Sequence, residues 1–175
     1  MVTLKGINVF LRALEPEDLE FVYKVENDER VWEVSATHTP YSKYLIKHYL
    51  ENAKQDIYEA KQLRLAISTY ENKVVGLIDL YDFNPMHRRA GVGILILDTE
   101  NRGKGYGKEA LKLLTNYGKT HLHLNQLYAS IAEDNKISQE LFTKAGYDFI
   151  GQRKAWTMVD GAFKNENLYQ HIYVY

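Results

Sequence analysis

Leu95-Ile96-Leu97-Asp98-Thr99-Glu100-Asn101-Arg102-Gly103-Lys104-Gly105-Tyr106-Gly107-Lys108-Glu109-Ala110 joins an apolar strand to an amphipathic helix through a turn carrying three glycines and three cations. The first turn of a helix leaves backbone N–H groups unpaired at the positive end of the helix dipole, so anions settle there. Glycines remove the Cβ that would keep a pyrophosphate away from the backbone. Spacing then selects the ligand. A dinucleotide-binding loop needs G-x-G-x-x-G, whereas Gly103, Gly105 and Gly107 alternate; a P-loop needs Ser or Thr after its lysine, whereas Lys108 is followed by Glu109. What fits is R-x-x-G-x-G, formed by Arg102, Gly105 and Gly107, at the start of a helix whose Ala110, Leu113, Leu114 and Tyr117 recur at i, i+3, i+4 and i+7. For this loop alone, the plainer alternative is a glycine-rich turn with solvated lysines.

The chain of 175 residues, 45% hydrophobic, is long enough for one sizeable core and too short for two ordinary domains, so a single domain over 1–175 is expected. A formal net charge of −1 opposes nucleic-acid binding, which draws on an excess of clustered Lys and Arg. With no cysteine, disulfides, thiolate metal sites and a cysteine nucleophile are excluded. Met1 to Gly6 opens into a strand-like run without a signal-peptide core, and nowhere do about 18 apolar residues run together. A soluble cytoplasmic protein with no membrane partner is expected.

Outward from the turn, residues 7–14 read as a strand that ends at Glu15-Pro16-Glu17-Asp18, a helix start, with the helix running to about residue 27. A second helical region covers 41–60, where Tyr44, Leu45, His48 and Tyr49 form an aromatic face suited either to a cleft or to packing on the core. Residues 63–69 and 73–82 are strands joined by the polar turn Tyr70-Glu71-Asn72, and the second, apolar on both faces, belongs in the middle of the sheet. Further strands are expected over 89–97, 126–131, 147–158 and 166–175, with helices to about residue 121 and over 136–145. The order is that of a mixed α/β sheet in one layer with helices on both faces.

That order, with the phosphate turn after the fourth strand, resembles the GNAT superfamily of N-acetyltransferases over nearly the whole chain. A second motif carries the same resemblance: Asn135-x-x-Ser138-x-x-Leu141-Phe142-x-x-x-Gly146-Tyr147 is similar to the family's N-x-x-[AS]-x-x-L-Y-x-x-x-G-F. The resemblance implies a GNAT fold: one mixed, mostly antiparallel sheet whose fourth and fifth strands splay apart to admit acetyl-CoA. It further implies that Leu95, Ile96 and Leu97 pair with the pantetheine arm, that Asn135 hydrogen-bonds it, and that Arg102, Gly103, Lys104, Gly105, Tyr106, Gly107 and Lys108 hold the pyrophosphate. Within the superfamily, Leu11-Arg12-Ala13-Leu14-Glu15-Pro16-Glu17-Asp18-Leu19, Gly76-Leu77-Ile78-Asp79-Leu80 and His87-Arg88-Arg89-Ala90 resemble the spermidine and diamine acetyltransferases. The branch acting on N-termini of ribosomal proteins is also similar. Two departures stand out: the polyamine enzymes have an acid after the His-Arg-Arg-Ala segment, where this chain has Gly91 and Val92, and their acid tyrosine is Phe142 here.

The implied reaction is attack of a neutral primary amine, of a polyamine or a peptide, on the acetyl thioester. A backbone N–H at Ile96 or Leu97 is expected to meet the oxyanion. Because an alkylamine has a pKa of about 10.4, a proton acceptor is needed, and Asp79 and Glu33 are the candidates. Asp79 pairing within the sheet, and Glu33 as a surface acid, are the plainer alternatives. The leaving thiolate needs only a weak acid, for which Ser138 is the nearest motif hydroxyl, with Tyr147 and Tyr128 behind it; a first-turn serine that contacts backbone or cofactor and transfers no proton is the plainer alternative. His121 and His123 read as a helix-end and a strand histidine rather than metal ligands, and no metal is expected. Trp156 reads as a core residue or a substrate wall beside the turn Asp160-Gly161. The alternative function is a catalytically weak acyl-CoA-binding or sensing module, which Phe142 favours. A nucleic-acid site at Arg102, Lys104, Lys108 and Lys112 is opposed by the net charge. Fourteen tyrosines and strand ends with an exposed pattern point to a homodimer or higher homo-oligomer.

Overall fold

The computed structural model describes residues 4–35, 37–52 and 56–175. Seven strands form one sheet: β1 (Val9–Ala13), β2 (Leu63–Thr69), β3 (Val74–Asn84), β4 (Arg89–Ile96), β5 (Gln126–Ala132), β6 (Asp148–Val159) and β7 (Ala162–Ile172), in the order β1-β2-β3-β4-β5-β7-β6. Every neighbouring pair is antiparallel except β4 with β5, which are parallel. The helices are α1 (Leu19–Glu26), α2 (Glu29–Ser35), α3 (Lys43–Asn52), α4 (Ile57–Ala60), α5 (Tyr106–Thr120) and α6 (Lys136–Lys144).

Strand alternation sorts the two layers of helices. Ile94 and Ile96 of β4 point toward α5, where Ala110, Leu111 and Leu114 are buried in the main core. Leu95, one residue out of phase, packs on the opposite face with Leu77, Val25 and Val31, under α1 and α2. Burying side chains such as Ile78, Leu80, Leu111 and Leu114 contributes about 1.5–3 kcal/mol each.

The expected elements are present, with three differences that have local causes. Residues 29–35 form α2, because the Asp28 carboxylate accepts from the Arg30 N–H at 3.1 Å and its carbonyl from the Val31 N–H at 2.8 Å, a helix start. The helical region expected over 41–60 is divided into α3 and α4; Asp56 caps α4 and Lys61, left-handed at φ 55°, ends it, while 53–55 lie outside the described residues. Strand β7 begins at Ala162 rather than residue 166, since Asp160-Gly161, with φ of 49° and 79°, makes a two-residue turn that lets pairing start at once.

Candidate active site

Pairing between β4 and β5 covers only Arg89 with Gln126, Ala90 with Leu127 and Gly91 with Tyr128; beyond Gly91 the two strands part. The ladder phase decides which backbone groups face the opening. The Leu97 N–H donates to the Val75 carbonyl of β3 at 3.2 Å, and antiparallel ladders alternate every residue, so Leu95 also turns its backbone groups to β3 while Ile94 and Ile96 turn theirs to the opening. Of the three residues expected along the pantetheine, Ile96 is thus the one whose backbone groups face the opening. Of the two donors proposed for an oxyanion, Leu97 is taken and Ile96 remains. The Ile96 carbonyl accepts from Arg102 Nε at 3.1 Å, so Arg102 holds the end of the strand rather than standing free in the turn.

Downstream, Gly103 and Gly105 adopt left-handed φ of 75° and 83°, and a Cβ built on either meets nothing within 4 Å. Both glycines thus leave an open cradle above the N-terminus of α5. Gly107 differs: a Cβ there would make ordinary contact with Ile96, Leu141 and Ile94 at 3.7–3.8 Å, so it faces the packed interior between α5, β4 and α6 rather than the open cradle. Lys104 lies over the Tyr106 ring, and Lys108 is exposed on α5. Asn135, the N-cap of α6, accepts from the Ser138 N–H at 3.1 Å.

On the face carrying Leu95, two cross-strand rows adjoin the opening. The first is Arg64–Asp79–Gly93, the second Tyr81–Gly91–Tyr128. Arg64 grips both oxygens of Asp79, at 3.0 and 3.1 Å, and Glu26 at 2.8 Å. Burial pushes the Asp79 carboxyl above the usual carboxylate range and Arg64 only partly offsets it, although the side chain keeps 21% of its surface exposed. Tyr49 of α3 lies within the field of this trio, its phenol raised chiefly by burial. On α3 the buried residues are Ile46 and Leu50, which leaves Tyr44, Leu45 and Tyr49 exposed, so that face does not pack on the core.

This geometry, a parted strand pair beside a left-handed glycine turn, is matched by sequence. The pattern of the family described as Acetyltransferase (GNAT) domain covers residues 8–148. The chain belongs to the GNAT acetyltransferase family. A spermidine N(1)-acetyltransferase of Escherichia coli (strain K12) is 29% identical over 173 residues, 95% of this chain and 89% of that protein. Among solved structures, the spermidine N-acetyltransferase from Vibrio cholerae in complex with CoA and spermine superposes with a TM-score of 0.83 at 24% identity, covering 94% of this chain and 95% of that one. A dodecameric structure of the Vibrio cholerae spermidine N-acetyltransferase gives 0.77 at 24% identity, with 94% of each chain covered. These two structures share its fold.

GNAT enzymes take the acetyl group from acetyl-CoA, and the open cradle at Gly103 and Gly105 suits the pyrophosphate of that cosubstrate. The chain places the remaining expected residues as follows. Glu33 and Asp79 belong to separate clusters: Glu33 pairs with Lys164 at 2.8 Å, which also holds Asp134 at 2.7 Å, tying α2 to β7. Ser138 is half-buried in the first turn of α6. Phe142 is buried edge-on to Tyr147, whose own hydroxyl meets Thr115 in the core and is driven far above its ordinary pKa by burial, so neither ring serves the site. His123 lies in the loop before β5, with φ 52°, not in a strand; His121 stacks against Tyr117. Trp156 is 58% exposed under the Arg153 guanidinium rather than in the core.

Sequence reasoning missed Arg64, Glu26 and Tyr81. Their signal lies in strand register, which sets Arg64 opposite Asp79 across a hairpin, and the hairpin itself was legible.

Proposed function

We propose that the chain, as a single acetyltransferase domain over 1–175 in the cytoplasm, transfers the acetyl group of acetyl-CoA to a primary amine of a polyamine. The observation that carries this reading is the parting of β4 from β5 beyond Gly91, with the glycine cradle at one end and the acidic row of Asp79 on the acceptor face. The pantetheine arm runs along Ile94 and Ile96, with Leu95 and Leu97 supplying apolar support, and Asn135 closes the other side. Gly103, Lys104, Gly105, Tyr106, Gly107 and Lys108 hold the pyrophosphate, and Arg102 keeps the strand end in place. The Ile96 N–H meets the oxyanion.

Asp79 accepts the amine proton through water, since burial brings its carboxyl toward the working range while Arg64 orients it. Ser138 protonates the thiolate weakly or leaves that step to water. Glu33 shares Lys164 with Asp134, so of the two candidate acids Asp79 is the one beside the opening.

The named relatives favour a polyamine over a peptide N-terminus. One competition experiment tests this: acetyl-CoA, spermidine and a short peptide with a free N-terminus in equal amounts, with products identified by mass spectrometry. Acetylspermidine as the dominant product agrees with the proposal; acetylation of the peptide alone contradicts it. A sensing module without turnover would yield neither product while binding acetyl-CoA.

The assembly we infer is a homo-oligomer that uses the free edge of β6, where Phe149, Ile150, Trp156 and Met158 are exposed and where a second copy is the occupant. The dodecameric relative agrees with that choice.

A further inference from the structure

Tyr81 stands where the acceptor face meets the first open step between β4 and β5. Its ring lies over Gly91 so closely that a Cβ on that residue would be 2.3 Å from Tyr81 Cε2, so the pair interlocks and no larger side chain fits at 91. From β3 the ring crosses over Gly91 of β4 and reaches Tyr128 on β5. Gly91 and Tyr128 are the last β4/β5 pair, so the ring sits where the gap begins. Tyr128 stands edge-on to the ring, 5.9 Å between centroids, and donates to Asp82 at 3.3 Å. A β-bulge immediately after Tyr81, with Asp82 at φ 48°, sets this aim.

We propose that the Tyr81 hydroxyl is an acceptor-binding group, taking a hydrogen bond from an N–H of the free-base amine and holding its lone pair toward the thioester carbon. This rests on the proposed acetyl transfer and adds a residue to it. The reason is chemical. Burial and the neighbouring Tyr128 push the phenol up to about 12, so it stays neutral at working pH. A neutral acceptor holds the reactive amine without favouring its unreactive ammonium form, whereas a carboxylate in the same place would stabilise the ammonium. The charge of Asp79, one row away, is already engaged by Arg64.

Tyr81→Phe removes one oxygen and keeps the ring over Gly91. The expected result is a fall of about tenfold in kcat/KM for the amine, with acetyl-CoA affinity unchanged within about twofold and the pH profile unchanged in shape. Unchanged kcat/KM for the amine overturns the proposal. So does an equal loss of acetyl-CoA affinity, which would make Tyr81 only a staple where the gap begins. If the wild-type protein acetylates no amine, the proposed function itself fails and this assignment with it; an active wild type and an equally active variant refute Tyr81 alone.

Discussion

Gly105 combines two roles: its φ of 83° suits a residue without Cβ, and the space above it is open. Gly105→Val puts a β-branched side chain into both, at a backbone cost of about 1–2 kcal/mol. Acetyl-CoA affinity measured by calorimetry is expected to fall by at least tenfold, while circular dichroism stays that of the folded protein. Wild-type affinity in a folded variant would remove the cradle from the site. Ser138 is bound to Asn135 through its main chain, so Ser138→Ala is expected to lower kcat by well under tenfold. A loss of about 10² would make its hydroxyl the general acid. At this scale the sequence was legible where a residue type answers a local demand, as the turn glycines do. It was not legible where parity decides: in the apolar run Leu95-Ile96-Leu97 nothing local says which residues face β3, and one step of ladder phase exchanges them. Tyr81 was hidden for a related reason, because its partners Gly91 and Tyr128 come from two other strands.

Among the elements, the corner from β1 into α1 gives the sharpest test. Asp18 is buried, with both oxygens on Arg12 at 2.7 and 2.9 Å and one on the Glu15 N–H at 2.8 Å. Burial alone would raise its carboxyl, but Arg12 and the Glu15 N–H outweigh that and hold it below the usual range. A depressed carboxyl contributes stability that is present above the unfolded value, about 3.9, and is lost as pH falls through the folded one. Asp18→Asn is therefore expected to lose about 3 kcal/mol at neutral pH, the lower end for a broken buried pair because Arg12 keeps some exposure. In urea titrations the difference should shrink below about pH 4. A difference that persists undiminished at pH 2 would point to packing rather than charge. The Glu15-Pro16-Glu17-Asp18 signal announced this corner in sequence, as the period of Ala110 to Tyr117 announced α5. The helix α2 escaped because its seven residues show little periodicity.

Across the whole molecule, β6 is an edge strand with a row of exposed apolar side chains, an arrangement that monomers avoid. Light scattering after gel filtration is expected to give a mass above that of one chain, and Ile150→Lys to shift it downward. A monomer at all concentrations would contradict the assigned edge. The order of elements along the chain and helices on both faces were readable from periodicity and from the place of the turn, whereas the surface that meets another copy depends on which strand ends the sheet. The claim on which the rest depends is acetyl transfer at the parted strands. Its most direct measurement is coenzyme A release, followed by thiol detection, from acetyl-CoA with and without spermidine. Release that saturates with spermidine and matches acetylspermidine formed is the expected result; tight acetyl-CoA binding with no release above background for any polyamine would contradict it.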